Sequence, residues 1–377
     1  MSGEGVLAPA FCRAFISTQE TLFMRPLLLA VATLAMAACV RNVPAPGTTH
    51  ASAENKAPGL ELVAQSPRQW TGIAVSKDNR VFVNFPRWSQ DVPVSVGELK
   101  DGQVSAWPDA TWNEWTPGTA EPNRFVAVQS VVIDDKDRLW VVDTGNPWFK
   151  GVIVTPRLLQ FDISNGRLVR SYAFPPEVSS GDSYLNDVRI DTEREVAYLT
   201  DSQAGGLVVL DLKSGSSRKL LKDHPSTHAE ADHLMVLGRR FDKAVQSDGI
   251  ALTPDRKTLY WSALTGHTLW RIPTEALLDP KLDDKALASR VERAHTIVAA
   301  DGILFDSSGV LWLGGLEDGS IYRYVPGGAY ERVIQDARLL WPDSFAQGPK
   351  GWIYVTTTQI HLPPAERGPY GIYRFQP

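Results

Sequence analysis

Ser247-Asp248-Gly249-Ile250-Ala251-Leu252-Thr253-Pro254, followed after a polar turn by Leu259-Tyr260-Trp261, is the stretch that decides the fold. A small or acidic residue leads into a short apolar run. Pro254 to Lys257 has hairpin chemistry, and the second run is rich in aromatics, so the stretch predicts two antiparallel strands. Upstream the same form appears as Gly72-Ile73-Ala74-Val75 before Val81-Phe82-Val83, and as Ser130-Val131-Val132-Ile133 before Leu139-Trp140-Val141-Val142. Asp187-Val188-Arg189-Ile190 before Val196-Ala197-Tyr198-Leu199 repeats it again. Downstream come Gly302-Ile303-Leu304-Phe305 before Val310-Leu311-Trp312-Leu313, and Ser344-Phe345-Ala346 before Trp352-Ile353-Tyr354-Val355.

Most units add a third strand, such as Gly206-Leu207-Val208-Val209-Leu210-Asp211. Unit starts at residues 72, 130, 187, 249, 302 and 344 lie 42 to 62 residues apart, a period that fits blades of about four strands. The repeat therefore predicts an all-β fold, a six-bladed β-propeller over residues 60–377. Such a ring must close to hide its edges, and Glu61-Leu62-Val63-Ala64 is placed to supply the outer strand of the last blade. Thr274 to Arg293, with Leu277, Leu278, Leu282, Leu287 and Val291, reads as a short helical insertion on the rim.

Composition agrees and excludes. Twelve Trp, 29 Gly and 26 Pro in 377 residues suit a turn-rich β chain. The 38 Lys and Arg against 43 Asp and Glu give a net charge of −5, with no basic excess to hold nucleic acid. Both cysteines, Cys12 and Cys39, fall in the first 40 residues, so the body can form no disulfide and offers no thiol nucleophile. Met24-Arg25 precedes an apolar run from Leu27 to Ala38 broken only by Thr33, too short to span a bilayer but right for a secretory leader. Leu34-Ala35-Met36-Ala37-Ala38-Cys39 resembles a bacterial lipoprotein signal, while Ala35-Met36-Ala37 also suits ordinary cleavage. These features predict a signal peptide over 1–39 and a flexible linker over 40–59, with Pro44, Pro46, Gly47 and Pro58. The expected product is an exported monomer, periplasmic or outer-membrane-anchored through lipid on Cys39, or freely secreted.

Val81-Phe82-Val83-Asn84-Phe85-Pro86-Arg87-Trp88 with Asp91-Val92-Pro93 resembles a signature of the major royal jelly protein/Yellow family. Asp137-Arg138-Leu139-Trp140-Val141-Val142-Asp143-Thr144-Gly145, Ser247 to Pro254 and Trp341-Pro342-Asp343-Ser344-Phe345 are similar to three further motifs, in the family's order. The resemblance implies a secreted six-bladed propeller. It also implies either a carrier of amine-bearing ligands in the central channel or a catechol-type isomerase. Insect members pair cysteines, one of them where Lys136 stands here, so that framework is absent from this chain.

The residue just before each inner strand forms a column: Thr71, Gln129, Asn186, Asp248, Asp301 and Asp343. In a propeller these positions share one height around the axis. Facing carboxylates repel or stay undersolvated unless something compensates them. A hard divalent cation such as Ca²⁺ suits oxygen donors, which makes Asn186, Asp248, Asp301 and Asp343 candidate metal ligands. A water-filled polar funnel and simple turn capping remain open beside that reading. The column also resembles that of calcium-dependent lactonases of the gluconolactonase/regucalcin type, which implies a lactone or ester hydrolase with Asp248 or Asp301 as base. Those enzymes carry a Glu on the first blade where this chain has Arg68-Gln69-Trp70-Thr71, and Asp343 is placed to replace it. Gln129, Asp143, Tyr184 and Trp341 are the expected small-molecule contacts. His224, His228, Glu230, Asp232 and His233 crowd one stretch, but Pro225-Ser226-Thr227 marks it as an exposed loop.

Overall fold

In the computed structural model, residues 59–119 and 122–377 are described. The expected leader over 1–39, the lipid-bearing Cys39 and nearly all of the 40–59 linker lie outside the described residues. The described strands form six four-stranded antiparallel sheets and one two-stranded hairpin. The inner strands of blades 1 to 6 are Ile73–Val75, Val128–Ile133, Leu185–Asp191, Ser247–Leu252, Ile303–Phe305 and Pro342–Gln347. Each blade then steps outward in chain order, and blade 6 takes its outermost strand, Glu61–Ser66, from the start of the ring. That strand runs antiparallel to Tyr370–Phe375, pairing Glu61 with Arg374 and Ser66 with Tyr370. Among the described residues no helix is long and apolar enough to cross a membrane.

The near-continuous apolar runs follow from burial on both faces of each blade. In the strand Arg138–Asp143, Leu139 and Val141 pack with Phe82 and Val96 of blade 1. Trp140 and Val142 point the other way, against Leu185, Val188 and Leu199 of blade 3. Alternation therefore divides side chains between two inter-blade cores, not between core and solvent. The acidic turn residues brace the large rings: Trp140 Nε1 donates to Asp134 Oδ2, and Trp312 Nε1 to Asp306 Oδ2, each at 2.8 Å.

The rim insertion is two short helices, Thr274–Leu278 and Asp284–Ala288, where the sequence suggested one stretch to Arg293. Pro280 lacks the N–H that would continue the first helix, and Asp283 starts the second by accepting from Ala286 N at 2.7 Å. Glu292–Thr296 is the outer strand of blade 4. Leu277 and Leu287 are buried with Tyr198 and Trp261, so the insertion covers the seam between blades 3 and 4.

The histidine-rich stretch is exposed at Pro225, Glu230 and Asp232, as expected, but not throughout. Ser226 and Thr227 are buried, and Trp261 Nε1 donates to Ser226 O at 2.8 Å. The chain then forms the hairpin Leu234–Val236/Arg239–Phe241, which delivers Phe241 and Lys243 to the axial mouth.

Candidate functional site

The column residues reach the lumen because the backbone turns them there. Four inner strands shift register at the column position: Val128/Ser130, Leu185/Val188, Ser247/Ile250 and Pro342/Phe345. A bulge re-aims a side chain that regular pleating would send into an inter-blade core. Side chains of the second strands then fix the column carbonyls of the next blade. Asn84 Nδ2 donates to Gln129 O at 2.9 Å, Thr200 Oγ1 to Asp248 O at 2.6 Å and Thr356 Oγ1 to Thr71 O at 2.6 Å. Gln129, Asn186, Asp248, Asp301 and Asp343, each only 4 to 8% exposed, line one axial cavity of about 360 Å³. Thr71 does not line it; its hydroxyl is spent on Gln129 O at 3.0 Å.

Aromatic rings wall the cavity above this floor. Phe149 lies 4.7 Å from Tyr184 and 5.7 Å from Trp88, centroid to centroid, and Phe241 meets Trp341 edge-on at 4.9 Å. Trp88 Nε1 donates to Tyr184 Oη at 2.8 Å, and Tyr184 Oη donates to Gln129 Oε1 at 2.8 Å. Asp201 holds Tyr184 in place by accepting its backbone N–H at 3.0 Å. Lys243 Nζ stands 5.5 Å from the Phe149 ring and 6.0 Å from Phe241, a cation seated between the two walls. Phe149 (φ 55) and Trp341 (φ 64) both adopt the left-handed backbone region, a strain of about 1–3 kcal/mol each that the surrounding packing must hold.

The floor is a cluster of carboxyls without a cation. Burial pushes the Asp301 and Asp343 carboxyls well above the ordinary carboxylate range, with Asp248 repelling Asp301 and Asp301 repelling Asp343. Asp248 is pushed up to about 7, by burial first and then by the charges of Asp343 and Asp187, against hydrogen bonding with Asp301 and Asn186. Trp341 Nε1 donates to Asp301 Oδ2 at 2.7 Å, and Ser344 Oγ donates to Asp343 Oδ1 at 2.8 Å. No Arg, Lys or His side chain pairs with any of the three among the described residues. The donors are hard oxygens of the kind calcium takes. Among the described residues, however, no group of three or more His, Cys, Asp or Glu is arranged to hold a metal ion.

Of the small-molecule contacts expected from sequence, Gln129, Tyr184 and Trp341 line the cavity. Asp143 does not. Its carboxylate accepts from Val126 N and Ala127 N at 3.0 and 2.8 Å and pairs with Arg157 at 3.0 Å, so it ties a turn. Phe149, Phe241 and Lys243 were missed because they sit on segments outside the six-blade repeat, Phe241 at the end of the extra hairpin. Trp88 was visible in its motif but had no assigned role.

A profile of the family described as "Major royal jelly protein" matches residues 126–344, more than half the chain and a span that includes all five column residues of the cavity. The chain belongs to the major royal jelly protein family. It is 26% identical over 245 residues to major royal jelly protein 3 of Apis mellifera, covering 63% of this chain and 45% of that one. Over 256 residues it is 26% identical to protein yellow of Drosophila pseudoobscura pseudoobscura, covering 60% and 45%. It thus spans about half the length of these relatives. Among solved structures, a gluconolactonase from Xanthomonas campestris aligns with a TM-score of 0.53 at 14% identity, over 85% of this chain and 89% of that one, a likeness of fold. Where the family resemblance places a cysteine, this royal jelly family member has Lys136, whose Nζ donates to Thr192 O of the next blade at 3.1 Å.

Proposed function

We propose that this chain is an exported propeller that binds a small aromatic or amine-bearing molecule in the aromatic-walled axial cavity. One observation carries this: three buried carboxyls without a cationic partner lie beneath a wall of aromatic rings. A protonated amine entering from the mouth replaces protons on Asp248, Asp301 and Asp343 as the group that neutralises the floor. Its ring packs against the aromatic wall formed by Tyr184, Phe149 and Trp341. A cavity of about 360 Å³ suits a molecule of one or two rings. Export through the 1–39 leader is supported by the Leu27 to Ala38 run.

The test is calorimetry with phenethylamine near neutral pH, in buffers of different ionisation heat. The expected result is binding accompanied by proton release, weakened about tenfold or more by Asp301→Asn. Wild-type protein that takes up no amine, or an Asp301→Asn protein that binds equally well, ends the proposal.

A second reading, a calcium-dependent lactone or ester hydrolase, is supported by the hard oxygens of Asn186, Asp248, Asp301 and Asp343. Bound calcium would polarise a substrate carbonyl there. Asp248 or Asp301, whichever carboxyl is not engaged, would move the proton. Calcium titration of chelator-stripped protein separates the two readings. Tight binding abolished by Asp301→Ala favours the hydrolase, and silence at millimolar calcium removes it.

A further inference from the structure

Among the described residues two cavities lie along the axis, and no residue lines both. The carboxylate cavity lies at the start of the inner strands. At their other end is a larger one of about 720 Å³, walled by apolar side chains such as Val132, Ile190, Leu252, Leu304 and Phe345 and bordered by charged ones that include Lys77, Asp135, Asp137, Arg256 and Lys350. On the inner strand of blade 3, Asn186 belongs to the first cavity and Arg189 to the second, about 10 Å further along. Arg189 lies across the boundary. Its Nη2 donates to Ile303 O at 2.7 Å, on blade 5, so the side chain passes the whole of blade 4. Its Nη1 donates to Val188 O at 2.7 Å and pairs with Asp187 Oδ2 at 2.8 Å. The side chain is only 13% exposed, and its Nε is buried without a partner. Nothing in ordinary inter-blade packing calls for so long a reach.

The geometry points to Arg189 as a septum and positioning residue that separates the two cavities and fixes the depth and charge of the amine site. This rests on the amine-binding reading above. Asp187 stands close enough to act on Asp248, Asp301 and Asp343 through its charge. By pairing with Asp187, Arg189 partly offsets a fourth carboxylate whose charge reaches the floor. By bridging to Ile303 O, it stops a ligand from passing into the second cavity. The site should therefore favour a short ligand with one terminal ammonium. Without Arg189 it gains a free carboxylate and an open floor, both of which favour a long dication.

Two probes measure this: phenethylamine, and the longer dication octamethylenediamine. Wild-type protein is expected to prefer phenethylamine. Arg189→Met should shift the affinity ratio toward the diamine by about tenfold or more, the scale of one uncompensated charge at short range. Arg189→Lys, which keeps charge but not the two-pronged reach, should shift it less. A purely structural role would lower both affinities together and leave the ratio unmoved. If both variants fold and bind phenethylamine with the wild-type ratio, the septum is overturned and the amine site stands. If wild-type protein binds neither amine, both fall. If Arg189→Met fails to fold, the ratio in Arg189→Lys decides: a shift toward the diamine supports the septum, and an unmoved ratio overturns it.

Discussion

At the scale of single residues, the site is defined by groups held in the wrong charge state for water. Asp248, Asp301 and Asp343 have folded-state affinities for protons above those of the unfolded chain, because burial disfavours their ions. The sign follows directly. Between the ordinary value of 3.8 and about 7, where Asp248 ionises, the folded protein binds more protons than the unfolded one. The contribution of Asp248 to stability is fully present below that window and is lost as pH rises through it, by up to about 1.4 kcal/mol per pH unit, and Asp301 and Asp343 act in the same direction. His361, stacked on Trp341 at 5.9 Å, runs the other way. Burial first, then Arg239 and Arg367, push it down to about 4, so its contribution is present above 6.5 and lost as pH falls toward 4. Thermal melts of the empty protein from pH 4.5 to 7.5 should therefore show Asp343→Asn gaining on wild type as pH rises, and His361→Gln gaining as it falls. Parallel curves for Asp343→Asn and wild type would mean that the carboxyl is solvated. The column was legible because its residues precede each apolar run. The role of Asp143 was not, since a sequence does not distinguish an acid satisfied by backbone N–H groups from one facing the lumen.

At the scale of elements, inner strands approach each other so closely that the residues after Asp248 and Asp301, Gly249 and Gly302, have no room for a side chain. A Cβ on Gly302 would lie 2.4 Å from Asp343 O and 3.0 Å from Ser344 Cα; one on Gly249 would lie 2.3 Å from Asp301 O. These contacts are backbone of the neighbouring blade, which cannot rotate away. Gly302→Ala should cost about 1–3 kcal/mol in urea denaturation, with an unchanged denaturant slope. Gly309→Ala, with no atom within 4 Å of its Cβ but φ at +87°, serves as the control for backbone strain alone. Equal losses would show that the inner strands yield and that the column is not rigidly set. Asp-Gly before an apolar run was readable as a repeat mark, but the reason for glycine lies in the next blade. The rim insertion was half legible: its leucines gave a helical face, while Pro280 and the capping Asp283 divide it.

At the scale of the whole molecule, the six-fold repeat made the ring legible, because each blade needs the same two buried faces. The partition of its axis was not, because Arg189 and Ile303 belong to different repeats, 114 residues apart. The seam is the mechanical weak point. Blades 1 to 5 are each built from one continuous stretch, whereas blade 6 depends on Glu61–Ser66 docking onto Tyr370–Phe375. Trp70, with no exposed surface, seals that junction by donating Nε1 to Gly371 O at 3.2 Å and packing with Val83, Tyr354 and Ile372. Trp70→Ala should cost about 3–5 kcal/mol, as for other fully buried large rings. More tellingly, amide exchange should accelerate together in 61–66 and 370–375 while the inner strands of blades 3 and 4 stay protected. Asp343 sits on the inner strand of the same blade, so amine affinity should fall with seam opening at temperatures where the rest of the ring remains folded. Exchange that rises uniformly across all six blades would instead show a ring that opens only by unfolding altogether, with no separate weakness where its ends meet.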